Sequence, residues 1–185
     1  MKNFSVIIAM LSLVYLTSCE EEEPVSLIPD IYTGKSSALK NGEDWNALSR
    51  TQLSVDTSRF SIVFDTYSDE GFWRESLGIG GILPIIGKQE FDLYDGNDSS
   101  ITSSSYGTWI DDGDVGGDYY ILDTTSLLNF VEIIKYNSQK SEIEGIFHSS
   151  LILENEGNQT PGEAPEKLVF SEGLFKVKVE REWFE

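Results

Sequence analysis

A cluster of aspartates and glycines over residues 111–123 has the residue types and spacing that best suit metal chemistry. Counted from Asp112 as position one, Asp114 takes position three and Asp118 position seven; calcium loops place oxygen ligands at such intervals. Position five is a glycine and position twelve is not Glu, so the match to an EF-hand fails. The sequence therefore predicts a simple calcium loop formed by Asp112, Asp114 and Asp118. The alternative is that Asp and Gly gather here because they tolerate turn geometry.

The sequence gives little indication of a catalytic nucleophile or of a zinc site. His148 is the only histidine of the chain, and the G-x-S-x-G pattern of a serine nucleophile elbow does not occur. A zinc site usually needs several His or Cys ligands, whereas the chain has one of each. We interpret His148 as a surface residue on a strand, and we expect no cofactor other than the calcium just described.

Paired carboxylates and exposed aromatic rings are the remaining candidates. Glycoside hydrolysis needs two carboxylates at a set separation, and 32 acidic residues supply such pairs by chance. Glu142 and Glu144 share a strand face, and alternating charge on a solvated face explains them equally well. Four aromatic residues would suit stacking on sugars if exposed, or would close the ends of a β-core if buried: Trp73, Trp109, Tyr119 and Tyr120.

The N-terminus has the layout of a secretory signal peptide. Lys2 precedes an apolar run over residues 4–16, and small residues follow before Cys19. The run is too short for a transmembrane span, which needs about 20 residues. Cys19 is the only cysteine, so no intramolecular disulfide can form, and an odd cysteine in an exported chain needs another role. The sequence predicts a cleaved signal peptide over residues 1–18, with an uncleaved anchor helix as the alternative.

The segment Leu16-Thr17-Ser18-Cys19 resembles the lipobox of bacterial lipoproteins, in which the cysteine is acylated and becomes the first mature residue. The resemblance implies a membrane anchor on Cys19, and several acyl chains hold a protein stably where one does not. Glu20 to Glu23 resemble the surface-export signal of Bacteroidota lipoproteins. We expect an outer-membrane lipoprotein that faces the cell surface. The alternative is a domain that faces the periplasm, with the glutamates as the solvated start of a tether.

Composition limits the partners and the size of the folded part. The chain has 185 residues and a net charge of −19, and removal of residues 1–18 takes away one further basic residue, Lys2. This excess of negative charge argues against binding nucleic acid, which needs basic patches, and against adsorption to anionic membrane surfaces. Acids and prolines over residues 19–35 indicate a lipidated acidic tether. Residues 36–185 have the size of a single domain.

A period of two dominates that domain. Phe60, Ile62 and Phe64 fall on one face of a strand, and the alternation over residues 142–154 is longer still. Such half-buried strands belong to antiparallel sheets. Residues 128–136 are apolar on both faces and predict a central strand. Ser171-Glu172-Gly173 predicts the turn of a hairpin.

Many short strands without helices indicate an all-β fold. We predict an antiparallel β-sandwich, with a flattened β-barrel as the alternative.

Short motifs in the domain are similar to an uncharacterised family of Bacteroidota lipoproteins. That family shows a G-x-F strand followed by a terminal G-x-F-x-V strand, matched here by Gly145-Ile146-Phe147 and by residues 173–177. Residues 39–47 resemble its opening V-x-G-x-x-W-x-A through Gly42, Trp45 and Ala47, and Gly107-Thr108-Trp109 completes the succession. The resemblance implies an all-β fold and an anchored location, and it implies no activity.

We therefore expect a non-enzymatic, lipid-anchored protein of the cell envelope whose β-domain binds a protein or glycan partner or has a structural role. The first alternative is a carbohydrate-binding accessory lipoprotein, which predicts exposed aromatic side chains on one face. The second is a small carboxylate-dependent glycoside hydrolase, which predicts a cleft with two facing acids, one with a raised pKa.

Overall fold

A computed structural model of the chain describes residues 27–53, 58–93, 101–157 and 163–179. Cys19 and Glu20 to Glu23 lie outside the described residues. None of the described residues belongs to a helix long and apolar enough to cross a membrane. The described part folds as ten strands: β1 Gly34–Lys40, β2 Glu43–Leu53, β3 Phe60–Tyr67, β4 Trp73–Ile82, β5 Gly87–Glu90, β6 Ser103–Ile110, β7 Val115–Leu122, β8 Phe130–Asn137, β9 Glu142–Asn155 and β10 Lys167–Lys178.

The strands form one antiparallel sheet that closes on itself. The order is β10-β1-β2-β3-β4-β6-β7-β9, and β9 pairs with β10 to complete an eight-stranded barrel. The all-β prediction is therefore confirmed. Of the two predicted architectures, the structure shows the barrel and not the sandwich, because the β9–β10 pairing leaves no gap in the sheet.

Alternate residues along the strands point inward, and their side chains fill the barrel interior. Phe60, Ile62 and Phe64 are fully buried, as their period predicts. Phe64 stacks on Phe147 with ring centroids 4.9 Å apart, and Trp45 meets Phe170 edge to face. Large aromatic and aliphatic side chains therefore occupy the interior.

Two glycines hold β9 and β10 in close contact. Gly145 of β9 lies opposite Phe175 of β10, and Gly173 of β10 lies opposite Phe147 of β9. A Cβ on Gly145 would come within 2.3 Å of the Phe175 ring, and a Cβ on Gly173 within 2.6 Å of the Phe147 ring. Each G-x-F motif thus supplies the ring that covers the other motif's glycine.

The predicted turn at Ser171-Glu172-Gly173 is wrong, because β10 runs through it without reversing. Glu172 has a φ of +53°, and the register of β10 against β9 shifts between Phe170 and Gly173. The turn-forming residues therefore make a β-bulge, which kinks one strand where a turn would join two.

β9 contacts β7 and β8 along the same edge. Leu151 to Asn155 pair with β7, whereas Glu142 to His148 pair with β8. The predicted central strand, β8, therefore lies outside the closed barrel between β9 and the short β5, and its Ile134 is 55% exposed.

Asp123 organises the junction where the chain passes from β7 to β8. Its carboxylate accepts hydrogen bonds from the backbone and hydroxyl of Thr125 and pairs with Lys167 at 2.6 Å. These contacts, that of Lys167 first, lower the pKa of Asp123 to about 2. The Asn129 amide bonds to the Asp123 carbonyl and accepts the Ser150 N–H, so the loop is tied to β9.

We predict that Gly145→Ala and Gly173→Ala each lower the free energy of unfolding by about 1–3 kcal/mol, because overpacking must displace a buried ring or the facing backbone. Gly116→Ala is the matched control: a Cβ there meets nothing within 4 Å, and a change within about 0.5 kcal/mol is expected. Urea denaturation measures all three. Equal stability of the Gly145 variant and the control would contradict the interlocked pairing.

Candidate functional site

Small residues line a trough on the outer wall of the barrel. The outward positions of β4 are Ser76, Gly78 and Gly80, which alternate with the buried Leu77 and Ile79. β6 presents a matching set, since Ser103, Ser105 and Gly107 pair with those three residues across the sheet. Two neighbouring strands therefore lack long outward side chains over three successive positions, about 13 Å of strand.

Larger side chains from the flanking strands form the walls. Val63 of β3 lies opposite Gly78, and Tyr119 and Ile121 of β7 lie opposite Gly107 and Ser105. Two adjoining cavities of about 610 and 380 Å³ occupy this space. They share four lining residues, and we refer to them together as the outer groove: Val63, Gly78, Ser105 and Tyr119.

A pair of stacked tryptophans borders one end of the outer groove. The rings of Trp73 and Trp109 lie 3.6 Å apart between centroids and 17° from parallel. Trp109 lies over Gly107, where a Cβ would come within 3.1 Å of the indole. Both indoles are half-buried, and the neighbouring Tyr119 is 44% exposed. The stack is thus a rigid aromatic surface outside the hydrophobic core.

A buried carboxylate fixes the position of this stack. Asp65 is 1% exposed and accepts a hydrogen bond from Trp73 Nε1 at 3.2 Å. Its other oxygen accepts the Tyr32 hydroxyl at 2.6 Å and lies 3.6 Å from Nε of Arg50. The Tyr67 hydroxyl lies 2.5 Å from that of Tyr32. Burial, reinforced by Asp65, raises the pKa of Tyr32, so Tyr32 stays a neutral hydrogen-bond donor.

The hydrogen bond between Tyr32 and Asp65 also attaches the segment that precedes β1 to the barrel. Thr33 donates its N–H to the Ser49 carbonyl, and Leu27 lies against Gly71 in the turn between β3 and β4. The described end of the predicted tether therefore packs on the barrel beside the aromatic stack, and β1 begins two residues before Ser36.

Two acidic side chains are among the described residues that line the outer groove. Asp118 lies on one side of Tyr119, and Glu154 belongs to the strand that pairs with β7. Asp118 accepts the Gly157 N–H at 3.0 Å. Arg50 also lines the groove, and its charge is balanced by Asp65.

The three predicted calcium ligands are divided between a turn and a strand. Asp112 and Asp114 lie in the turn that joins β6 to β7, whereas Asp118 lies within β7 and bonds to Gly157. Asp112 raises the pKa of Asp114, first through a hydrogen bond between the two carboxyls. Within the described ranges no three His, Cys, Asp or Glu side chains form a group able to hold a metal ion. The calcium site remains a prediction.

The other residues considered for chemistry lie away from the outer groove. His148 stacks beside Phe130 on β8, and burial lowers its pKa. Glu142 and Glu144 both pair with Lys176. Tyr120 is buried in the core. Of the four aromatic candidates, Trp73, Trp109 and Tyr119 therefore meet at one site.

The floor of the groove is absent from the predictions made on the sequence. The sequence does carry a pattern that indicates this floor. Gly and Ser alternate with large residues in β4, and Ser103, Ser105 and Gly107 alternate with Ser104 and Tyr106 in β6. An outward strand face normally carries longer polar side chains, so a run of Gly and Ser there indicates a depression.

Comparisons of the chain with models of protein families, with curated proteins and with solved structures found no match. Function must therefore be inferred from the geometry and chemistry of the groove.

If Asp112, Asp114 and Asp118 bind calcium, millimolar calcium raises the melting temperature, because a ligand bound only by the folded state stabilises it. At ten times the Kd the gain is about 1.4 kcal/mol, which corresponds to a few degrees for a chain of this size. Asp114→Asn should abolish the shift, and magnesium serves as the ionic-strength control. An unchanged melting temperature in calcium would contradict the prediction.

Proposed function

We propose that this chain is a lipid-anchored protein of the cell envelope, held in the outer membrane through Cys19 and facing the cell surface, whose barrel binds a partner through the outer groove without catalysing a reaction. The observation that carries the binding proposal is the Trp73–Trp109 stack beside the exposed Tyr119.

Aromatic side chains at a surface depression favour binding over a purely structural role. Large rings stabilise a fold most when they are buried, yet Trp73 and Trp109 are only partly buried on the outer wall, whereas ten or more other large side chains fill the core. The combined depression falls within the range of about 300–1,000 Å³ typical of ligand sites. A partner seated there would remove the remaining aromatic surface from water.

Hydrolysis is less well supported than binding. Asp118 and Glu154 are the two acids that line the groove among the described residues, and Asp118 is engaged by the Gly157 N–H. Asp114, a carboxyl whose pKa is raised, lies in an exposed turn away from the groove lining. A general acid for glycoside cleavage needs a raised pKa inside the cleft.

The anchor lies close in sequence to a segment that packs beside the groove. Eight Cα–Cα steps lead from Cys19 to Leu27, and this length spans at most about 28 Å in any conformation. Since Leu27 lies against Gly71, two residues before Trp73, an anchor on Cys19 would hold that side of the barrel near the membrane.

The anchor is tested with Cys19→Ala. We expect this variant to lose incorporation of labelled palmitate and to leave the membrane fraction, because the thiol that carries the acyl chains is gone. Ser18→Ala is the matched control, since it keeps a small residue before the cut site and should remain lipidated. Membrane retention of the Cys19 variant would contradict the anchor.

The orientation is tested on intact cells with proteinase K. We expect digestion of the wild-type domain while a periplasmic marker stays intact. Replacement of Glu20 to Glu23 by glutamine should protect the domain from digestion without releasing it from the membrane. Protection of the wild type would place the domain in the periplasm.

The binding surface is tested by photo-crosslinking in cells. Gln52 is exposed on the rim of the outer groove, so a benzophenone side chain at this position should give an adduct after irradiation, and Trp109→Ala should reduce its yield at least tenfold. The control places the benzophenone at Leu174, which is 56% exposed on the wall formed by β10. Equal adducts at both positions, or none at Gln52, would contradict the proposal.

A further inference from the structure

We infer that the ligand of the outer groove is a neutral oligosaccharide. This inference rests on the proposed function, because it assigns a chemical class to the partner of the same groove.

The aromatic end suits the apolar faces of sugar rings. A pyranose presents C–H groups on its faces and hydroxyls around its edge, so it needs a flat apolar surface beside polar groups. Trp73 and Trp109 stack face to face, so each ring covers one face of the other and the pair offers its outer surface to a sugar. Asp65 and Gly107 hold the two rings in place. Tyr119 adds a second exposed ring on the adjoining wall. A preorganised platform of this kind loses little side-chain entropy when a ligand binds.

The floor suits the hydroxyl edge. Serine and threonine hydroxyls each offer one donor and two acceptor positions, and six of these residues line the two cavities: Ser61, Ser76, Ser103, Ser104, Ser105 and Thr108. Because hydroxyls can donate and accept, they match sugar hydroxyls, which do the same. Thr108 already accepts the Asp118 N–H, and Ser104 bonds to Ser149. An entirely apolar ligand would remove the other hydroxyls from water without offering them a hydrogen bond, at a free-energy cost.

Charge selects a neutral sugar over an acidic one. Arg50, the basic residue among those that line the groove, faces the buried carboxylate of Asp65 and so offers no net positive charge. Asp118 and Glu154 line the same space, and the whole chain carries −19. A uronate or sulfated sugar would meet like charges on approach and in the groove.

The shape favours a chain of sugars over a single one. The trough of glycine and serine residues extends over about 13 Å of strand and continues from the stack toward Leu93 and Ile101. A single ring on the stack would leave most of the floor unoccupied. We therefore assign the stack to one sugar unit and the trough to those that follow.

Affinity electrophoresis of the full-length chain, purified from membranes in detergent, tests the inference. The probes are four neutral polysaccharides (a glucan, a mannan, a xylan and a galactan) and two anionic ones, polygalacturonate and heparin. We expect at least one neutral polymer to retard the chain and the anionic polymers to have no effect. Trp109→Ala should weaken the retardation at least tenfold, and Leu174→Ala, on the opposite wall, should leave it unchanged. Thermal melts check that both variants remain folded.

The remaining outcomes overturn the inference in distinguishable ways. Retardation by the anionic polymers alone, or equal retardation of wild type and a folded Trp109→Ala variant, would rule out a neutral sugar on the stack. If no polymer binds but the Gln52 crosslink forms and depends on Trp109, the groove binds a partner of another class and the proposed function stands. Release of reducing sugar from a retarding polymer would overturn the proposal of binding without catalysis while supporting the saccharide ligand.

Discussion

The close contact of β9 with β10 is the constraint on which the rest of the structure depends. Gly145 and Gly173 have no side chain, and the rings of Phe175 and Phe147 occupy the space that this leaves. The two strands can therefore pair from Lys167 to Lys178 of β10, with one bulge, and their pairing closes the sheet. Without it, β10 and β9 would be the two edges of an open sheet, with the core exposed between them.

Closure also separates an inner face of the sheet from an outer one. The barrel interior is occupied by rings such as Phe64, Phe147 and Phe170, and the outer groove lies on the outer wall. There β4 and β6 contribute glycine and serine while β3 and β7 contribute larger side chains, so the wall is concave. The buried Asp65 then joins three parts of the molecule, because it bonds to Trp73 of the stack, faces Arg50 of the groove and accepts the hydroxyl of Tyr32.

In β10 a local turn signal gives the wrong prediction of chain direction. Ser171-Glu172-Gly173 has turn composition, and Glu172 does adopt a positive φ. A positive φ serves a bulge as well as a turn, and the outcome depends on whether the following residues reverse direction or continue beside the same neighbour. β9 is long enough to pair on both sides of the bulge, so the strand continues. The prediction of β8 as a central strand failed because it also rested on a local pattern. Apolar residues on both faces of a strand indicate two covered faces, but they do not show which strands lie beside it.

By itself the sequence determined the secondary-structure class and the alternation that places Phe60, Ile62 and Phe64 in the core, because these depend on periods within short segments. It also supplied the prediction of an anchor at Cys19, since the order of residues in a signal is local. Only the tertiary structure decided that the sheet closes as a barrel, that Trp73 and Trp109 stack, and that glycines and serines from two strands form one trough. These features depend on which strands become neighbours. Neighbours are set by packing between residues far apart in the chain, such as Gly145 and Phe175, and no local period records such a contact.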